Sequence, residues 1–103
     1  MFGLLPRDME YILKAFKKYP EIESAYIFGS RAIGNYKKSS DVDIAVKGIN
    51  LDRRTVNRIS DELNEEYPIP YFFDVIHYDI ISNEELKKHI DEFGKIIYKI
   101  YKI

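Results

Sequence analysis

Three carboxylates and one Gly-Ser pair carry the chemistry that can be read from this chain. Asp41 and Asp43 stand one residue apart in "SSDVDIAV", at the opening of an apolar run. In a strand, residues i and i+2 project from one face, about 7 Å apart along the backbone. The two carboxylates therefore share a side, while Val42 and Ile44 turn to apolar surroundings. Like charges so placed repel, and a buried carboxylate without a partner is costly. A hard divalent cation offsets both costs. Mg²⁺ takes oxygen ligands and keeps water or phosphate oxygens in its remaining positions. Asp74 stands between Phe73 and Val75 in "YFFDVIHY", an unusual place for a charge that merely faces solvent. If its strand lies beside that of Asp43, three carboxylates gather at one spot. That arrangement suits a two-metal site, which activates an attacking hydroxyl and stabilises a leaving pyrophosphate.

The phosphate-binding half is expected at Gly29 and Ser30. "ESAYIF" ends in Gly-Ser and turns at once toward a helix start. Such a turn exposes backbone N–H groups to an anion. Glycine allows close backbone approach and serine adds a hydroxyl donor. Arg31 is a further candidate for phosphate, against the default of a solvated arginine. Gly34 is expected to turn the loop back. Lys37 and Lys38 lie within reach but read as solvated loop residues. His77 reads as structural, on the face opposite Asp74. His89 reads as helix surface, and Asp79 as a weaker substitute for Asp74.

The elements that must position these residues follow from periodicity. Met9, Ile12, Leu13 and Phe16 fall at helical spacing, and Pro20 ends that helix. Residues 22–28 and 41–46 read as strands. A helix is expected over 51–66 with Val56, Ile59 and Leu63 inward, then a third strand across "PYFFDVIHYDII". "SNEELKKHIDEF" predicts a helix opened by a capping box, Ser82 with Glu85, and closed near Gly94. The tail "KIIYKIYKI" suits either a helix or a short edge strand and is expected to cover the core or meet a partner surface. The fold class predicted is α/β (α+β), a small mixed three-stranded sheet flanked by about four helices.

Length and composition agree. The 103 residues allow one domain, 1–103. Apolar residues make up 46% and charged residues 32%, a globular balance. A net charge of −1 offers no global basic field, so no direct nucleic-acid binding is expected. The chain has no cysteine, which excludes disulfides and thiolate chemistry. No apolar run long enough to span a membrane and no signal-peptide pattern is present, so a cytoplasmic location is expected.

Taken singly these signals are common. Their joint spacing is not: Gly29-Ser30, ten residues, Asp41-x-Asp43, then a lone Asp74 in a later apolar strand. This pattern resembles the minimal nucleotidyltransferase (MNT) domains of the DNA polymerase beta superfamily, and Arg31, Ala32, Ile33 and Gly34 suit that subgroup. The resemblance spans most of the chain. It implies the nucleotidyltransferase fold, with Asp41 and Asp43 holding two Mg²⁺ ions and Asp74 binding the catalytic one. It implies that Gly29 and Ser30 hold the β- and γ-phosphates of ATP. It further implies an antitoxin that transfers AMP to a tyrosine of a HEPN-domain toxin, supplied in trans. Two alternatives stand beside it: neutralisation by binding without catalysis, and adenylyl transfer to a small molecule such as an aminoglycoside. The oligomeric state, homo- or hetero-oligomer, is left open.

Overall fold

A computed structural model describes residues 1–100. Helix α1 (Pro6–Lys17) starts with proline at its first position, where a missing N–H costs nothing, and Asp8 Oδ2 accepts from the Leu5 N–H at 3.0 Å. It buries Ile12, Ala15 and Phe16. Strand β1 (Ser24–Phe28) follows, then a single turn of helix α2 (Ser30–Ile33) and strand β2 (Val42–Lys47). Helix α3 (Arg53–Asp61) is capped by Asp52, which accepts from the Thr55 N–H at 2.8 Å. It runs on as a π-helical turn, Glu62–Glu66, that keeps Leu63 fully buried. Strand β3 (Phe73–His77), a 3₁₀ turn (Tyr78–Ile80), helix α4 (Glu84–Phe93) and strand β4 (Lys95–Lys99) complete the order.

The strands form one mixed sheet in the order β3-β2-β1-β4. β1 pairs antiparallel with β2 and with β4, and β2 pairs parallel with β3. The sheet therefore has four strands where three are expected from sequence. The tail supplies the fourth: Lys95–Lys99 is the edge strand, and residues 101–103 of the expected tail element lie outside the described residues. Among the described residues, no helix is long and apolar enough to cross a membrane.

Strand parity sorts the side chains into two cores. Ala25, Ile27, Val42, Ile44, Val46 and Phe73 join α1, α3 and Leu63 on one face. On the other, Phe28 and Ala45 meet Ile90 of α4, with Ile76, Ile81 and Leu86 around them. The expected capping box gives way to a simpler cap one residue later. Asn83 Oδ1 accepts from the N–H groups of Glu85 and Leu86 at 3.0 and 3.1 Å. An Asn cap serves the orphan amides as well as Ser does.

Candidate functional site

Asp43 sits where three strands meet. Its register partner on β1 is Phe28, the residue before Gly29. Its register partner on β3 is Asp74. Neighbouring strands lie about 4.8 Å apart, so the two carboxylates leave the same sheet face side by side. The expected meeting of strands two and three is thus borne out. Asp41 precedes β2 and is exposed, Asp43 is half-buried, and Asp74 is exposed on an edge strand.

The electrostatics follow from that placement. Burial lifts the Asp43 carboxyl above its ordinary range, and the charges of Asp74 and then Asp41 lift it further. The Arg31 charge acts in the opposite direction, as a protonated His89 would. Asp43 therefore feels both other carboxylates, and a cation would reverse both repulsions. Among the described residues, no three acidic or imidazole groups converge closely enough to form a ready-made metal cage. The donor set still fits a hard cation. All three groups offer oxygen, and Mg²⁺ draws the rest of its octahedron from water and substrate phosphate rather than from a complete protein cage.

Gly29 ends β1 with φ 73° and ψ −154°, a backbone conformation that favours glycine. A second constraint acts at the same position. A Cβ built there would fall on Asp43 Oδ2, far inside van der Waals contact. The Gly29 carbonyl accepts from Ala32 and Ile33, starting α2 at Ser30. Gly34 closes α2 in the left-handed region, as the turn requires.

Arg31 is placed differently from the expectation. Its side chain is only 2% exposed, so the solvated arginine is a buried one. Nη1 donates to Phe2 O at 2.8 Å, while Nε and Nη2 donate to Ser40 O at 3.1 and 2.8 Å. The guanidinium also lies over the rings of Tyr71 and Tyr36, at 4.5 and 5.2 Å. Its donors serve carbonyls rather than a phosphate. It ties the N-terminal segment and the loop before Asp41 to α2.

His89 is the residue that sequence reasoning missed. Its Nε2 accepts from the Gly29 N–H at 3.0 Å, sixty positions away in the chain. Its ring lies 6.1 Å from that of Phe28 and 5.4 Å from that of Phe93. Helical spacing within α4 marks Leu86, Ile90 and Phe93 as the inner stripe, and His89 falls beside it. Only the packing of α4 across the end of β1 reveals the contact.

His77 is structural, as expected, with Nε2 3.1 Å from Asp79 Oδ2. That same oxygen accepts from the Gly48 N–H at 2.9 Å, so Asp79 ties the ends of β2 and β3 together. Lys37 and Lys38 are exposed. A cavity of about 390 Å³ opens beside β3, with Val56, Ile76, Ile80, Ile81 and Leu86 in its walls. None of the three carboxylates lines it.

A family model described as polymerase beta, nucleotidyltransferase matches residues 10–102. No curated protein matches the chain. Among solved structures, a toxin–antitoxin complex with AMP-PNP superposes with a TM-score of 0.74 at 23% identity, over 89% of this chain and 73% of that one. A tri-AMPylated Shewanella oneidensis HEPN toxin in complex with MNT antitoxin gives a TM-score of 0.69 at 21% identity, over 91% and 71%. A nucleotidyltransferase-like protein of Sulfolobus solfataricus gives 0.55 at 20% identity, over 88% and 76%. At these identities the structural neighbours establish the fold.

Proposed function

Because this chain belongs to the polymerase beta nucleotidyltransferase family, we propose that it transfers AMP from ATP to a hydroxyl acceptor, a tyrosine of a cognate HEPN toxin, and so acts as an antitoxin in the cytoplasm. One observation carries the reading: Asp43 stands in register with Asp74 on one side and adjoins the Gly29-Ser30 turn on the other. Carboxylates and phosphate turn are thereby brought to one end of the sheet. The neighbours lend the acceptor class, since one is a toxin–antitoxin complex with AMP-PNP and another holds a tri-AMPylated HEPN toxin.

In this reading Ser30 offers its hydroxyl to the β- and γ-phosphates, and Gly29, whose own N–H is taken by His89, permits their close approach. Asp41 and Asp43 would hold two Mg²⁺ ions, with Asp74 on one of them. Ions held there would lower the pKa of the attacking hydroxyl and offset the charge of the leaving pyrophosphate. Asp74, exposed on the edge strand, faces the side from which a bulky acceptor can approach. The tyrosine oxygen bonds to the α-phosphorus, the bond to pyrophosphate breaks, and the hydroxyl proton leaves toward the Asp74 carboxylate.

The test is incubation with α-labelled ATP, Mg²⁺ and the HEPN partner, resolved on a denaturing gel. Label on the partner is expected, and none with the Asp41→Ala, Asp43→Ala variant. An unlabelled partner beside a productive known pair would sink the proposal. A second reading, neutralisation by binding alone, is favoured by the open edge strand β4, where Ile96 is half exposed. It prevails if the same variant protects cells as fully as the unaltered protein.

A further inference from the structure

Both backbone groups of Gly29 are used by the fold. Its carbonyl starts α2, and its N–H is taken by His89. Glycine has the widest choice of backbone angles, and the Phe28–Gly29 peptide, whose N–H points away from the helix start, needs a partner to hold one orientation. The imidazole supplies it. Nε2 as acceptor requires a neutral ring that carries its proton on Nδ1. The flanking rings of Phe28 and Phe93 set the ring plane, and Ile90, the next residue of α4, is anchored in the smaller core.

We infer that His89 is a positioning residue for the nucleotide: its Nε2 holds the Gly29 peptide, and with it Ser30 and the Asp43 carboxylate packed against Gly29, in the arrangement that receives the triphosphate. The inference rests on the nucleotidyltransferase reading above. It assigns α4 a part in substrate binding, although α4 brings no carboxylate to the site. His89 touches no reacting atom; it acts through Gly29.

Two variants separate position from packing. His89→Leu keeps apolar bulk between the two rings and removes the acceptor. His89→Gln keeps an acceptor at similar reach. Binding of Mg·ATP to the chain alone, by calorimetry, is expected to weaken about tenfold in His89→Leu, the worth of one hydrogen bond of about 1.4 kcal/mol. His89→Gln is expected to bind within about threefold of the unaltered chain by retaining that bond. Equal or tighter binding by a folded His89→Leu, or no rescue by His89→Gln, overturns the inference and leaves the nucleotidyltransferase reading intact. Failure of the unaltered chain to bind Mg·ATP overturns both. Should His89→Leu not fold, the bond is read directly in the unaltered chain, as a scalar coupling between the Gly29 amide nitrogen and His89 Nε2. A coupling supports the inference, and its absence overturns it.

Discussion

At Asp43 a half-buried carboxylate faces Asp74 on the next strand and Asp41 two residues back, and its pKa rises above the ordinary 3.8 in consequence. The sign of the effect on stability follows. The folded chain binds more protons here than the unfolded chain, so the contribution of Asp43 to stability is fullest below about pH 3.8 and is lost as pH rises through the raised folded value. Asp43→Asn removes that decline. Its melting temperature without metal is expected to exceed that of the unaltered chain by on the order of 2 °C at neutral pH, with the difference vanishing near pH 3. Added Mg²⁺ should raise the melting temperature of the unaltered chain and leave the variant's unchanged. Nucleotidyl transfer by the variant should fall by at least about 100-fold. Gain of stability with loss of activity is the mark of a site whose charges serve chemistry rather than folding. A variant that melts lower than the unaltered chain at neutral pH would show that the carboxylate is held by contacts stronger than the repulsion.

Two predictions belong to the elements. Helix α4 carries His89 to the Gly29-Ser30 turn, and its start depends on Asn83. Asn83→Ala leaves two amides without their side-chain acceptor and is expected to cost about 1 kcal/mol, or roughly 4–8 °C in thermal melts. Helix α2 is too short to hold itself, and Arg31 secures it to Phe2 and Ser40. Arg31→Lys keeps the charge but lacks the planar fork that serves both carbonyls at once. It is expected to cost roughly 2–4 kcal/mol in denaturant titrations, because part-buried carbonyls lose their donors and a buried cation loses part of its partners. Amide exchange across 34–41 should quicken in the same variant, since the guanidinium is what binds that loop. A variant as stable as the unaltered chain would mean that the loop is secured elsewhere.

At the scale of the molecule, the sheet separates a large core from a small one, and the site lies at the end of the strands on the small-core side. Ile44, fully buried in the large core, projects from the sheet face opposite Asp43 and Asp74. Ile44→Ala should cost about 2–5 kcal/mol by chemical denaturation. Transfer per folded molecule should change little, because the deleted atoms face away from Asp43. Much of this arrangement was legible beforehand. Period-two alternation in "DVDIAV" states that Asp41 and Asp43 leave the face opposite Val42 and Ile44, since side-chain direction in a strand is a local property. The helical stripes of α1, α3 and α4 are local in the same sense. The Asn83 cap and the nature of the tail were not, because neighbouring residues offered equivalent local solutions: Ser82 for the cap, and helix or strand for Lys95–Lys99. The fourth strand exists because the far edge of β1 offers unpaired N–H and C=O groups, which no local pattern displays. Arg31 looks solvated in sequence because its partners are main-chain carbonyls, which carry no residue identity. His89 meets Gly29 only when α4 lies across the end of β1. The chemistry proposed for the site rests on residue types and short spacings. The partners that hold it in place were chosen by packing, which joins groups sixty residues apart.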